Sequence, residues 1–314
     1  MPATMLRPLS LGELLDRTFS LYKENFLLFF GVMVWPSLLA VAVGLLNTGF
    51  QSIALRPATG PSAQARFAMI SFGFVAGLVL LILAYWVAYT FALGATTLAV
   101  SDVYLGNVAT ISGSFRKMKG RTWRLMRLML WIGVQVVLVF ALLALGIGVL
   151  AALGRVVALV GMVILFPLLA LVPLWLMLRY SVSVPALMLE GLNARQAASR
   201  SGQLIKGNFG RAFLLLLLMI IITYAVMAVF QGPFFVAAVL TAERGQPSVW
   251  LLGLSSVFGA LGGALAAPLL MIGLVLLYYD IRVRKEAFDL QLLMGPPIEN
   301  TSGDSPAAAA APSI

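Results

Sequence analysis

Six long apolar runs dominate the chain, at Phe26–Leu46, Ala68–Gly94, Leu125–Leu150, Val156–Leu178, Ala212–Leu240 and Trp250–Tyr279. Each reaches the roughly 20 residues that a helix needs to cross the hydrocarbon of a bilayer. Charged residues other than Arg127 are confined to the short stretches between the runs, none of which reaches the ~50 residues of an independent soluble domain. The pattern predicts an all-α polytopic membrane protein with six transmembrane helices in one transmembrane domain, residues 1–294. Gly295–Ile314, rich in Pro, Ala and Ser, is expected to be a disordered cytoplasmic tail.

A second, shorter pattern precedes spans one, three and five. Ser10 followed by Glu13 is a capping box that starts a helix. Leu11, Leu14, Leu15, Thr18 and Tyr22 then share one face, with Glu13, Asp16, Arg17, Ser20 and Lys23 mostly opposite. Such a helix is expected to lie in the membrane interface, as an elbow ahead of the span. The stretch Asp16–Phe26 aligns without gaps on Ser199–Phe209, repeating Arg, Leu, Lys, Asn and Phe, and a looser copy occupies Ser114–Trp123. Three units of elbow plus two-span hairpin follow, near residues 10–94, 107–178 and 194–279. Arg17, Lys23, Arg200 and Lys206 stand at equivalent elbow positions and are candidates for the interface with lipid. The second and third elbows are basic enough to hold acidic lipid head groups as well.

Charge fixes an expected orientation. Of 21 Lys and Arg residues, 17 fall in alternate non-membrane segments that include both ends, against 4 in the others. The positive-inside rule then places both termini and all three elbows in the cytoplasm, in what we expect to be a bacterial inner membrane. With Glu13, Asp16 and Glu24 ahead of the first apolar run, no cleavable signal peptide is expected, and the first span serves as the targeting signal. The net charge of +10 needs no nucleic acid partner, because topology and anionic lipid account for it.

Composition narrows the chemistry. Hydrophobic residues make up 61% of the chain and charged ones 10%, and there is no histidine and no cysteine. Thiolate catalysis and nitrogen- or sulfur-ligated metal sites are thereby removed, and no cofactor is expected. The strongest cluster of charges lies at the ends of spans four and six: Arg179, Glu190, Asp280, Arg282, Arg284, Lys285, Glu286 and Asp289. There a carboxylate is costly unless paired, so Glu190 and Asp280 are expected to meet arginines such as Arg179 or Arg282. These four residues form either a structural charge lock or a gate. Prolines at 36, 167, 173, 233 and 268 interrupt four spans, as in transporters with broken helices or as ordinary membrane-helix residues. Ser255, Gly259 and Gly263 form a small-residue stripe suited to close helix packing, within the chain or between copies. The few polar residues inside the spans are Gln135, Thr223, Tyr224 and Gln231, with Tyr85 and Tyr89 in the second. No carboxylate lies near the bilayer centre, which argues against a coupled ion transporter.

Three ordered segments carry a resemblance: Arg7–Phe19, reading RPLSLGELLDRTF; Arg179–Gly191, reading RYSVSVPALMLEG; and Leu277–Leu290, reading LYYDIRVRKEAFDL. Over roughly residues 6–293 the chain resembles bacterial proteins with the glycerophosphoryl diester phosphodiesterase membrane domain. In the fused members of that family the diesterase is a separate soluble barrel whose metal-dependent chemistry uses histidine and carboxylates. This chain has neither histidine nor length for a barrel, so the resemblance implies the membrane part alone and no enzymatic activity. The expected function is that of a non-enzymatic scaffold or accessory component in membrane lipid or envelope processes. A protein partner or a further copy of the chain would then assist. The alternative is a facilitator or transporter of a small or lipid-like solute.

Overall fold

The computed structural model describes residues 7–54, 63–242 and 248–287, and among them all regular structure is helical. The expected tail at 295–314 lies outside the described residues. The helices are α1 (Leu11–Glu24), α2 (Phe26–Ala54), α3 (Ala63–Tyr104), α4 (Ile111–Lys117), α5 (Thr122–Ala152), α6 (Arg155–Tyr180), α7 (Ser183–Glu190), α8 (Ala194–Ile205), α9 (Phe209–Ala242) and α10 (Val249–Glu286). Six apolar segments are long enough to cross a membrane, and the chain is a multi-pass membrane protein. Large apolar side chains on its outside, such as Leu27, Phe72 and Trp250 at 78%, 78% and 84% exposure, face lipid rather than water.

α1 forms as the sequence requires. Ser10 Oγ accepts from the Glu13 amide at 3.2 Å while Glu13 Oε2 accepts from the Ser10 amide at 2.7 Å. These bonds from Ser10, with the neighbouring Arg7 guanidinium, hold the Glu13 carboxyl down at about 2. A 14-residue helix is marginal in isolation. Its stability comes from Leu14, Thr18 and Leu21, which are buried, with Leu11, Leu15 and Tyr22 half-buried beside them. Leu14 and Leu21 contribute about 1.5–3 kcal/mol each by leaving water or head groups. The face packs on α10, and Tyr22 donates to the Leu265 carbonyl at 2.8 Å. α1 is thus docked on protein.

α3 runs ten residues past the expected exit at Gly94. At 42 residues it is about 63 Å long, twice the hydrocarbon thickness. Thr96, Thr97, Ser101 and Asp102 suggest a departure from the membrane, but the helix continues because Ala92, Ala95, Ala99 and Val100 are fully buried against neighbouring helices. The expected fourth span, Val156–Leu178, falls inside α6. The prolines at 36, 167, 173, 233 and 268 all sit inside helices that continue through them.

The most densely buried region lies at one rim, where α2, α5 and α9 begin and α3, α6 and α10 end. Nearly every residue from Leu269 to Val283 is buried, as are Val182 to Met188 around and along α7. Within the small-residue stripe, Gly259 packs closely inside the chain, where a Cβ would come within 3.0 Å of Gln231 on α9, while Gly263 has open space beside it; beside the stripe, a Cβ on Gly44 would come within 2.6 Å of Ser256.

Candidate functional site

Two linked charge clusters occupy this rim. Asp280 centres the first, its side chain wholly inaccessible. Its Oδ1 accepts from the Leu9 amide at 2.8 Å, and Arg284, one helical turn on, donates through Nε to both oxygens at 3.2 and 3.1 Å. Arg211, near the start of α9, brings Nε to 3.0 Å from Oδ2. That N–H finds no aligned acceptor, so the contact is a close ion pair rather than a directed hydrogen bond. The Leu9 carbonyl in turn accepts from Arg211 Nη2 and from Arg284 Nη2. One residue of backbone is therefore gripped at both its polar groups, tying the segment before α1 to α9 and α10. Two arginines against one carboxylate leave this cluster with one positive charge in excess.

Glu190 centres the second cluster. It ends α7, where a carboxylate opposes the negative end of the helix dipole and needs donors nearby. Arg200 of α8 supplies Nε at 3.2 and 3.1 Å to its two oxygens, and the Tyr278 hydroxyl donates to Oε1 at 2.7 Å. Arg200 Nη2 also reaches Glu286 at 2.5 Å, and Arg282 Nε lies 3.0 Å from Glu286 and 3.9 Å from Glu190. Two arginines against two carboxylates make this cluster neutral. The exposed ends of neighbouring helices are closed by further cations. Arg121 and Arg124 donate to the carbonyls of Met188 in the last turn of α7 and Gly191 just after it, and Lys285 donates to those of Gln203 in the last turn of α8 and Lys206 just after it.

Of the four expected lock residues, Glu190, Asp280 and Arg282 lie in these clusters. Arg179 does not pair with a carboxylate among the described residues. Its guanidinium stacks over Trp175 at 5.0 Å and Tyr180 at 5.7 Å, and its carbonyl accepts from the Ser201 hydroxyl at 2.7 Å. The reason is geometric: Arg200 occupies the place beside Glu190, while Arg179 packs over the Cβ-less surface of Gly202. Among the elbow candidates, Lys23 and Lys206 are exposed and Arg17 is half-buried in a groove with Asp16 and Tyr104. Arg200 differs, being spent on two carboxylates rather than turned to lipid.

The sequence reading placed Arg284 and Glu286 in the charge cluster without assigning their partners, and it missed Arg211 and the Leu9 backbone as members; Asp289 of that cluster lies outside the described residues. Two signals were available, because Asp280–Arg284 and Arg282–Glu286 have the i,i+4 spacing of helical ion pairs. No signal in the sequence pointed to Leu9 or Arg211, which reach Asp280 only through the fold. Each oxygen of Glu190 and Asp280 already faces a donor of the chain itself. Chemically the arrangement holds five segments together: the Leu9 turn, α7, α8, α9 and α10.

No curated protein and no solved structure matches the chain. A family model does match, and its residues contain Arg179, Glu190, Arg200, Arg211, Asp280, Arg282 and Arg284, with both of the later segments that carried the resemblance. Over residues 156–300 the chain is similar to the membrane domain of glycerophosphoryl diester phosphodiesterase.

Proposed function

We propose that this protein is a non-enzymatic integral membrane scaffold or accessory component in lipid or envelope processes. The observation that carries the reading is the closure of the rim network. Its carboxylates, arginines and freed helix carbonyls are spent on one another, so the rim is a rigid platform on which another protein can act. The clusters serve as a charge lock in this reading. The platform is built from three units, near 10–94, 107–178 and 194–279, in which the short helices α1, α4 and α8 precede α2, α5 and α9. The rim faces the cytoplasm of a bacterial inner membrane, as the 17-to-4 distribution of cations supports. Anionic lipids are natural partners. Arg127 and Arg195, with Trp131 beneath the Arg195 guanidinium at 5.6 Å, border a groove of about 800 Å³ between α5 and α8.

Topology is checked by reporter fusions. Fusions at Lys119 and Gln203 are expected to read as cytoplasmic, and those at Gln51 and Gly154 as external; one reversed loop breaks the three-unit arrangement.

Function is checked with purified protein in sealed liposomes. No acceleration of glycerophosphodiester, fluorescent phospholipid or small-solute movement is expected. Robust transport by the protein alone would replace the scaffold with the facilitator reading. Hydrolysis of a glycerophosphodiester by the pure protein would make it an enzyme.

A further inference from the structure

The polar residues scattered through four apolar helices converge on one cavity. It has a volume of about 460 Å³ and lies between α2, α3, α9 and α10, with Ser37, Tyr85, Tyr89, Thr223, Gln231 and Ser256 in its wall. It sits at membrane depth. Gly263, also in the wall, is 17 residues before Asp280 on α10, about 26 Å along the helix axis. Among the described residues no Asp, Glu, Lys or Arg lines it, so a charged group would enter without a counter-charge.

The hydrogen-bonding capacity inside is specific. Ser37, Thr223 and Ser256 each donate to a carbonyl one turn back on their own helix, which leaves their oxygens as acceptors. Tyr85 and Tyr89 stack with centroids 5.7 Å apart, and neither hydroxyl has a hydrogen-bond partner among the described residues. A phenol unpaired in hydrocarbon is costly, so two such donors in one cavity call for an acceptor from outside the chain. The remaining wall is small or apolar, including Pro36, Gly259, Ala260 and Leu270.

We propose that this cavity binds an uncharged, hydroxyl-bearing diacyl lipid, namely a diacylglycerol. Its ester carbonyls accept from the two tyrosines, and its free hydroxyl donates to the serine, threonine or glutamine oxygens. The cavity has the size of a small-ligand site and seats the glycerol region. Two acyl chains exceed it and extend between the helices into the surrounding lipid. A phospholipid fits this chemistry poorly because its phosphate would be buried unpaired. Binding of this kind is independent of whether the protein moves solutes or serves as a scaffold.

Gly263 provides the test. Nothing lies within 4 Å of where its Cβ would stand, so a larger side chain grows into the cavity rather than into a neighbouring helix. Full-length protein in phosphatidylcholine nanodiscs is photolabelled with a diazirine-bearing diacylglycerol, and the labelled peptides are mapped by mass spectrometry. Labelling is expected on peptides containing Tyr85, Tyr89 or Met227, with unlabelled diacylglycerol competing and phosphatidic acid not. Gly263→Leu is expected to abolish the labelling with its melting temperature kept, and Gly263→Ala to retain it. Tyr85→Phe and Tyr89→Phe, which keep the ring stack, are each expected to weaken competition about fivefold, the effect of one hydrogen bond. Should Gly263→Leu fail to fold, the two tyrosine variants decide. Undiminished labelling in Gly263→Leu, unchanged competition in both tyrosine variants, or equal competition by phosphatidic acid each overturns the proposal.

Discussion

Asp280→Ala is expected to lower the melting temperature in detergent more than any other single substitution at the rim. The side chain is inaccessible, and its loss strands the Leu9 amide and leaves Arg211 and Arg284 side by side without a counter-charge. Removing one partner of a buried ion pair costs about 3–5 kcal/mol, and the lower end applies here because Arg284 is partly exposed. Asp280→Asn keeps an acceptor for Leu9 and should lose less. Combining Asp280→Asn with Arg211→Met should recover part of the loss, since the excess positive charge goes with the arginine. If Asp280→Ala melts with the wild type, the lock is wrong. A stable variant that has lost partner binding or transport would instead mark a working gate.

The second large effect is expected between Glu190 and Arg200. Arg200 bridges two carboxylates and contacts both oxygens of Glu190, so the two residues are directly coupled. A double-mutant cycle of Glu190→Gln and Arg200→Met should give a coupling of about 1–3 kcal/mol, the range for contacting charged residues. Arg179 is the contrast. Its aromatic stacking predicts a loss of only about 0.5–1 kcal/mol on Arg179→Ala, with no coupling to Glu190. A cycle in which Arg179 couples more strongly than Arg200 would reject the arrangement described.

The composition of the chain determined more than its size would suggest. Runs of 20 to 30 apolar residues have only one stable solution in hydrocarbon, where each backbone group must be paired within its own helix. The six long apolar helices, the helix capped by Ser10 and the concentration of charge near the ends of spans four and six were therefore legible from the sequence. So was the membrane-domain resemblance of the second half, because Arg179–Gly191 and Leu277–Leu290 carry it in the residues themselves.

Tertiary structure decided the pairing. Glu190 had several arginines within reach of a loop, and only the packing of α8 on α7 selected Arg200 over Arg179. Asp280 took Arg211 from 69 residues earlier in the chain and the backbone of Leu9 from 271 residues earlier, contacts that no local spacing announces. α3 continued past Gly94 for a related reason: the helical state of Ala95–Tyr104 is stabilised by burial against other helices, which outweighs the polar residues that read as an exit. The intramembrane cavity belongs to the same class. Tyr85, Tyr89, Thr223 and Gln231 were visible as isolated polar residues, but periodicity ranks residues around one helix and says nothing about which neighbouring helix a face will meet.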